Sequence, residues 1–395
     1  MKVIFAAGGT AGHINPALAI ADKMKQLFPE TEILFIGTPN GMESRLVTKA
    51  GYDFRGVEMS GFQRDFSPKS IVRNVKAAYC YLISAKRAVK KIIKEFKPDL
   101  AIGTGGYVTG TVLSVAVAMG IKTVTHESNS YPGAATKMLS GKVDKVLLAT
   151  DDAKKYLKDV SRCIVTGNPL RTNIPIEERS AARKRLGLPD CFTVLSFGGS
   201  LGANKITEAV AELIAWEQKT GEINHIHSYG GKNRDLFLDA LKNANVHEDK
   251  EHLVFKEYID NMYTCMCAAD LIISRAGAMT ITELTEIGRP SILVPYPAAA
   301  ENHQYYNAMT LVNQNAAILI EDKNLTKAKL VNEVSSLYSD MGRLRLMEQN
   351  ASKMRKANAA DKILKEIVDL CGEESFKYIS QNFRFNILCC MVDTV

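Results

Sequence analysis

The sequence predicts an α/β protein built from two Rossmann-like halves, and three observations carry that expectation. Short β-branched runs alternate along the chain with longer stretches at helical spacing, the pattern of βαβ units around a parallel sheet. A strand that enters a glycine turn and then a helical stretch occurs twice, about half a chain apart. Val3 to Ala7 runs into Gly8-Gly9-Thr10-Ala11-Gly12-His13, and Thr193 to Phe197 runs into Gly198-Gly199-Ser200-Leu201-Gly202-Ala203. The 395 residues, 46% hydrophobic and 24% charged, suffice for two domains with packed cores.

The first strand follows directly on Met1-Lys2, and its apolar run is too short for a secretory signal. Glu32 to Ile36, Leu100 to Ile102, Thr123 to Thr125 and Val146 to Leu148 read as further strands. The stretch Val108 to Ile121 is apolar but interrupted by Thr109, Gly110, Thr111 and Ser114. It falls short of the roughly 20 residues a membrane span needs, so it reads as a buried helix. Between Lys69 and Lys94, Ile71, Val75, Tyr79 and Leu82 recur at helical spacing among cations that include Lys86, Arg87 and Lys90, and no acid occurs before Glu95. A basic amphipathic face of this kind docks on anionic lipid, whereas a solvated face on an ordinary domain helix is the alternative.

Gly167-Asn168-Pro169-Leu170-Arg171 marks the expected boundary. We expect an N-terminal domain over 1–165 and a C-terminal domain over 166–346. A helical segment over 347–370 is expected to pack back on the first domain, and a tail of different character follows over 371–395. Residues 1–165 carry 24 Lys and Arg against 14 Asp and Glu, while the remainder carries 26 against 29. The N-terminal half therefore faces something anionic, phosphate or lipid. The eight cysteines show no zinc or redox spacing and read as reduced thiols.

Three glycine turns are candidates for phosphate: Gly8 to Gly12, Gly103 to Gly106, and Gly198 to Gly202. Backbone N–H groups and a helix N-terminus meet an anion at such turns. None has the dinucleotide G-x-G-x-x-G spacing or a Walker lysine, which weakens dehydrogenase and ATPase readings. After the strand Leu271 to Ile273, Ala276 to Ala278 are small enough for a ligand to lie on the backbone, and Glu283 one turn later can accept from a ribose diol. A helix-start carboxylate stabilised by the macrodipole is the plainer alternative. The loop after Ile292 to Val294 concentrates Asn302, His303 and Gln304, groups suited to sugar hydroxyls.

These segments, with Gly105-Gly106-Tyr107-Val108 and His126-Glu127-Ser128-Asn129, occur in an order that resembles the MurG family of peptidoglycan N-acetylglucosaminyltransferases over about residues 1–370. The resemblance implies a GT-B fold, two Rossmann-like domains facing each other across a cleft. It implies transfer of N-acetylglucosamine from its UDP donor to undecaprenyl-diphosphate-N-acetylmuramoyl-pentapeptide (lipid I), giving lipid II with inversion at the anomeric carbon. It places the protein peripherally on the cytoplasmic side of the cell membrane, with cell-wall and division proteins as partners, no nucleic acid and no cofactor. Carried over residue by residue, it puts Thr10, Ala11, Gly12, Asn129, Arg171, Ser200, Ile259, Ala278, Met279, Thr280, Ile281, Thr282, Glu283 and Gln304 around the donor. Gly12, Gly105, Gly106 and Tyr107 are expected at the acceptor diphosphate.

Ala11 stands where the family usually has glycine, which requires a negative φ there. For the base that takes the acceptor proton, His13 leads and Glu127 competes. No D-x-D metal motif occurs, so no divalent ion is expected in catalysis. A UDP-sugar 2-epimerase of the same fold, a Rossmann oxidoreductase and a non-catalytic nucleotide-sugar binder are the rival readings.

Overall fold

The structure, a computed structural model, describes residues 1–59, 83–171, 174–199, 202–247, 251–372 and 375. Ser200, Ile71, Val75, Tyr79 and Leu82, and the tail from 376, lie outside the described residues. The chain divides into two units, Met1–Thr172 with Ala357–Val395, and Asn173–Lys356.

The first unit holds seven parallel strands: β1 (Lys2–Ala6), β2 (Glu32–Gly37), β3 (Asp53–Gly56), β4 (Leu100–Gly103), β5 (Lys122–Glu127), β6 (Lys145–Leu148) and β7 (Cys163–Val165). Their spatial order is β3-β2-β1-β4-β5-β6-β7. Strands β1, β2, β4 and β6 read as near-continuous apolar runs because both faces are covered. On one face α1 (Ala11–Leu27), α2 (Met42–Lys49) and α14 (Ala359–Cys371) pack on Val3, Phe5 and Val124. On the other, α3 (residues 83–96), α4 (Gly106–Ala118) and α5 (Ala134–Leu139) pack on Ile4, Ala6 and Val146.

Two boundaries differ from those read in the sequence. Residues 166–171 stay with the first unit because three side chains tether them. His126 Nε2 donates to the Gly167 carbonyl at 3.0 Å, Asn168 Nδ2 donates to the Ser128 carbonyl at 3.1 Å, and Arg171 pairs with Asp22 at 2.8 Å. The helical segment expected over 347–370 is two helices. α13 (Met341–Lys353) buries Leu344 and Met347 in the second unit, and α14 buries Ile363, Leu364, Ile367 and Val368 in the first. The break falls before Asn358, whose φ of 60° ends helical continuity.

The second unit repeats the plan with six parallel strands: β8 (Phe192–Phe197), β9 (Ile223–Ser228), β10 (Leu253–Lys256), β11 (Leu271–Ser274), β12 (Ser291–Leu293) and β13 (Ala317–Leu319), in the order β10-β9-β8-β11-β12-β13. One face packs on α7 (Asn204–Thr220), α8 (Arg234–Asn243) and α12 (Lys327–Ser339). That face carries a buried polar chain. The Glu217 carboxylate lies 2.8 Å from His225 Nδ1, and Ser196 Oγ lies 2.7 Å from both His225 Nε2 and His227 Nδ1.

Burial, with His225 beside it, holds the His227 imidazole down at about 3, against an ordinary 6.5. The unfolded chain therefore takes up this proton first. The stabilisation from a neutral His227 is complete above about pH 6.5 and is lost as pH falls toward 3. The thermal midpoint should fall between pH 6 and 4, roughly the window this shift defines, and His227→Phe should flatten that part of the profile.

Candidate functional site

In each sheet the strand order reverses once, between β1 and β4 in the first unit and between β8 and β11 in the second. Ligands of open α/β sheets bind outside the carboxyl ends of the strands at such a reversal. Ala6 pairs with Gly103, and Phe197 with Ser274, so in both units the two flanking loops leave the sheet at one level.

In the first unit the two glycine turns are packed together. A Cβ on Gly106, whose φ is +81°, would lie 2.3 Å from the Gly8 carbonyl oxygen. A Cβ on Gly105, at φ +116°, would lie 2.3 Å from His13 Nδ1, so the imidazole rests on this glycine. Only glycine permits both the left-handed backbone and that approach. The Thr104 hydroxyl donates to the His13 carbonyl at 2.7 Å, fixing the first turn of α1 from below. The Gly105 N–H is taken by Thr109 Oγ1 at 3.1 Å. Thr10 is the exposed N-cap of α1, and Ala11 and Gly12 follow in its first turn. Ala11 is helical and has no positive φ, so the turn accommodates its Cβ. Tyr107 is exposed at the start of α4.

Glu127 ends β5 with 4% exposure, and its carboxylate is fully engaged. Oε1 accepts from the Asn129 N–H and from Asn129 Nδ2, both at 3.0 Å. Oε2 accepts from the Gly133 N–H at 2.9 Å and from Thr136 Oγ1 at 2.6 Å. The carboxylate thus folds the 128–136 loop around itself and orients Asn129. Arg171 is half exposed, and its partner Asp22 also accepts from Tyr52 at 2.7 Å.

In the second unit the turn after β8 closes through a bond from the Gly202 N–H to the Gly199 carbonyl at 2.9 Å. A Cβ on Gly198 would lie 2.4 Å from the Ala203 nitrogen. Across the reversal, α10 (Ala278–Ile287) begins after β11, so Ala278, Met279, Thr280, Ile281, Thr282 and Glu283 form its first turns. Tyr263 donates to Glu283 Oε1 at 3.4 Å. Burial pushes the Glu283 carboxyl up to about 7, and the tyrosine bond offsets only part of that.

Arg275 organises the loop after β12. Its Nη1 donates to the Val294 and Pro295 carbonyls at 3.0 and 3.1 Å and pairs with Asp322 at 2.6 Å. Gln304 lies in α11 (His303–Val312), and its Oε1 accepts the Tyr296 N–H at 2.9 Å. Ile259 is buried just after β10.

On α3, Lys86, Arg87 and Lys90 are exposed, while Ala85, Val89 and Ile93 sit in the domain core. The apolar stripe of this described part therefore serves the fold, and only its basic face is open. Among the described residues no helix is long and apolar enough to cross a membrane.

Sequence reasoning missed Glu43, Thr109, Tyr263 and Arg275. Glu43, Thr109 and Arg275 bond loop backbone and Tyr263 bonds the Glu283 side chain, partners set by the fold, so their spacing carries no signal of its own.

Two family models match the chain, the glycosyltransferase family 28 N-terminal domain over residues 3–148 and the family 28 C-terminal domain over residues 193–363. A relative from Acetivibrio thermocellus is 42% identical over 94% of this chain and 98% of its own length. This chain belongs to glycosyltransferase family 28. The Acetivibrio relative is named UDP-N-acetylglucosamine--N-acetylmuramyl-(pentapeptide) pyrophosphoryl-undecaprenol N-acetylglucosamine transferase, as is one from Alkaliphilus oremlandii, 40% identical over 93% of this chain and 98% of its own length.

The family 28 fold is shared with solved structures. MurG of Acinetobacter baumannii superimposes with a TM-score of 0.71 at 25% identity, covering 93% of this chain and 99% of that one. A UDP-N-acetylglucosamine 2-epimerase reaches 0.63 at 14% identity, covering 96% of this chain and 99% of that one, which is a likeness of fold alone. Both domains of this family 28 chain are parallel-sheet Rossmann-like halves of the GT-B class.

Proposed function

We propose that the protein transfers N-acetylglucosamine from UDP-N-acetylglucosamine to the muramoyl hydroxyl of undecaprenyl-diphosphate-N-acetylmuramoyl-pentapeptide, inverting the anomeric centre. The observation that carries this reading is the 42% identity over 94% of the chain to a relative named for that transfer. Fold alone supports it less, because 2-epimerases share the architecture.

The donor belongs to the second unit. The Gly198–Gly202 turn and the Ser200 hydroxyl hold the diphosphate, the Ile259 main chain reads the uracil edge, and the backbone at 278–282 meets the nucleotide at the start of α10. Glu283 accepts from the ribose hydroxyls, and the Gln304 amide NH2 donates to the sugar. Thr10, Ala11, Gly12 and Asn129 are proposed as further donor contacts. The acceptor diphosphate meets Gly12, Gly106 and Tyr107 at two helix starts, with Gly105 supplying close approach rather than a free N–H.

Transfer is one displacement. The acceptor oxygen bonds to the anomeric carbon, the bond from that carbon to the diphosphate oxygen breaks, and the hydroxyl proton passes to His13. Charge that develops on UDP is met by the turn after β8. Glu127 has all its acceptor directions in use and positions Asn129 rather than taking the proton. Arg171 donates to Asp22 through Nε, so a phosphate oxygen of the leaving group would take its terminal N–H groups.

Incubation with labelled UDP-N-acetylglucosamine and lipid I tests the reading. Label in lipid II supports it; epimerised nucleotide sugar, or binding without turnover, replaces it with an isomerase or a binder.

The acceptor is lipid-linked, so the protein works peripherally on the cytoplasmic face of the membrane, within reach of cell-wall and division proteins. The exposed cations of α3 meet anionic lipid there, each contributing about 1 kcal/mol. Reversing Lys86, Arg87, Lys90 and Lys91 to glutamate should reduce binding to anionic vesicles by at least about tenfold. Unchanged vesicle binding would assign docking to another surface.

A further inference from the structure

Glu43, the second residue of α2, is a carboxylate that the transfer scheme does not use. Its exposure is 1%. Oε1 accepts from the Thr38 N–H at 3.0 Å and from Thr38 Oγ1 at 2.6 Å, and Oε2 accepts from the Gly9 N–H at 3.3 Å. Burial opposes its charge, but these donors outweigh it and hold the carboxyl below the usual carboxylate range. Among the described residues no cation contributes to this environment.

Three glycines make the room. A Cβ at Gly37 or Gly41 would lie 2.5 Å from Glu43 side-chain atoms, and one at Gly8 would lie 3.1 Å from Oε1. The fold thus builds a cradle of glycines and N–H groups, as an anion site requires, and fills it with its own anion.

We propose that Glu43 is a specificity-determining residue for the transfer, an internal anion that keeps phosphoryl groups off Gly8 and Gly9 and leaves that part of the first glycine turn to neutral sugar hydroxyls. The proposal rests on the transferase reading above, in which two diphosphates must each find one place. A phosphate at this turn would need the Gly9 N–H, which already faces Oε2, and would meet an unneutralised charge directly behind Gly8. Like charges at that range repel, and the buried Glu43 carboxylate is held in place by its donors. The open N–H groups beyond it, at Gly12 in α1 and at Gly106 and Tyr107 in α4, do not share this contact. Glu43 therefore bars phosphate from Gly8 and Gly9 and leaves the diphosphate to Gly12, Gly106 and Tyr107, on the side where His13 rests on Gly105.

The test uses the full-length protein labelled with 15N-glycine, with UDP saturating the second unit, titrated with inorganic pyrophosphate. In the wild type the Gly106 amide should shift and the Gly9 amide should not. In Glu43→Gln, which keeps size and removes charge, Gly9 should shift and pyrophosphate should bind about tenfold tighter. A wild-type Gly9 amide that shifts as far as Gly106 overturns the proposal, and this arm needs no variant to fold. A folded Glu43→Gln protein that binds pyrophosphate no tighter than the wild type overturns it too. If Gly106 stays still in the wild type while Glu43→Gln gains affinity at Gly9, the acceptor-diphosphate placement fails and the role of Glu43 stands.

Discussion

Replacing His13 with alanine is expected to lower turnover by roughly 10²- to 10⁴-fold, the usual worth of a positioned base, with UDP affinity unchanged. The imidazole is half-buried on the bare α-carbon of Gly105 and is carried by the first turn of α1, whose carbonyl is held by Thr104. This seat gives a second way to the same result. Gly105→Ala places a methyl group 2.3 Å from Nδ1 and strains a φ of +116°, so it displaces the ring without deleting it. Turnover should fall in that variant also, with UDP binding intact. Glu127→Gln is the contrast. It disturbs four bonds that order the 128–136 loop, so it should raise KM and lower kcat while the shape of the pH–rate profile stays that of the wild type. Steady-state kinetics with lipid I, together with UDP calorimetry, separates the three. Turnover in His13→Ala within about threefold of wild type would return the base to another residue.

The doubly repeated α/β plan was legible because its signals are local. Strand, glycine turn and helix follow one another within about a dozen residues at Val3 to His13 and at Thr193 to Ala203, and β1 with α1 and β8 with α7 form there. What failed was reading continuity. Met347 to Leu370 keeps helical spacing throughout, yet the two ends of that stretch bury their apolar faces in different units and the chain turns at Asn358. Periodicity reports that a face is buried, not against what. On α3, Val89 and Ile93 serve the core as part of the stripe on a domain helix must, while Ile71, Val75, Tyr79 and Leu82 lie outside the described residues.

Within the sites, glycines and amides were visible as clusters, but the groups that hold them were not. Glu43 reaches Gly9 from 34 positions away, and Arg275 reaches Val294 and Pro295 across neighbouring strands. Glu127 reads in the sequence as an acid–base candidate because carboxylates serve both as bases and as loop organisers. Only the count of donors around it distinguishes a base, which needs a free lone pair, from a loop organiser, which needs none.

Glu283 carries the other large expected effect, and its sign follows from its surroundings. Burial pushes its carboxyl from an ordinary 4.5 to about 7. In the protein without nucleotide, the proton is held more tightly folded than unfolded. This contribution to stability is complete below about pH 4.5 and is lost as pH rises through 7. Donor binding runs the other way, because a carboxylate accepting from two ribose hydroxyls must first lose that proton. Affinity for UDP-N-acetylglucosamine should therefore fall below pH 7, toward about tenfold per pH unit, while the protein alone becomes more stable over the same range. Glu283→Gln should bind about 10²-fold more weakly at pH 8, on the scale of charged hydrogen bonds, and should lose the pH dependence. Tyr263→Phe removes the one bond that favours the carboxylate, so its binding midpoint should move to higher pH. Calorimetric titrations from pH 6 to 8 on the three proteins decide the point. A wild-type affinity that is flat across that range would mean the ribose does not meet Glu283.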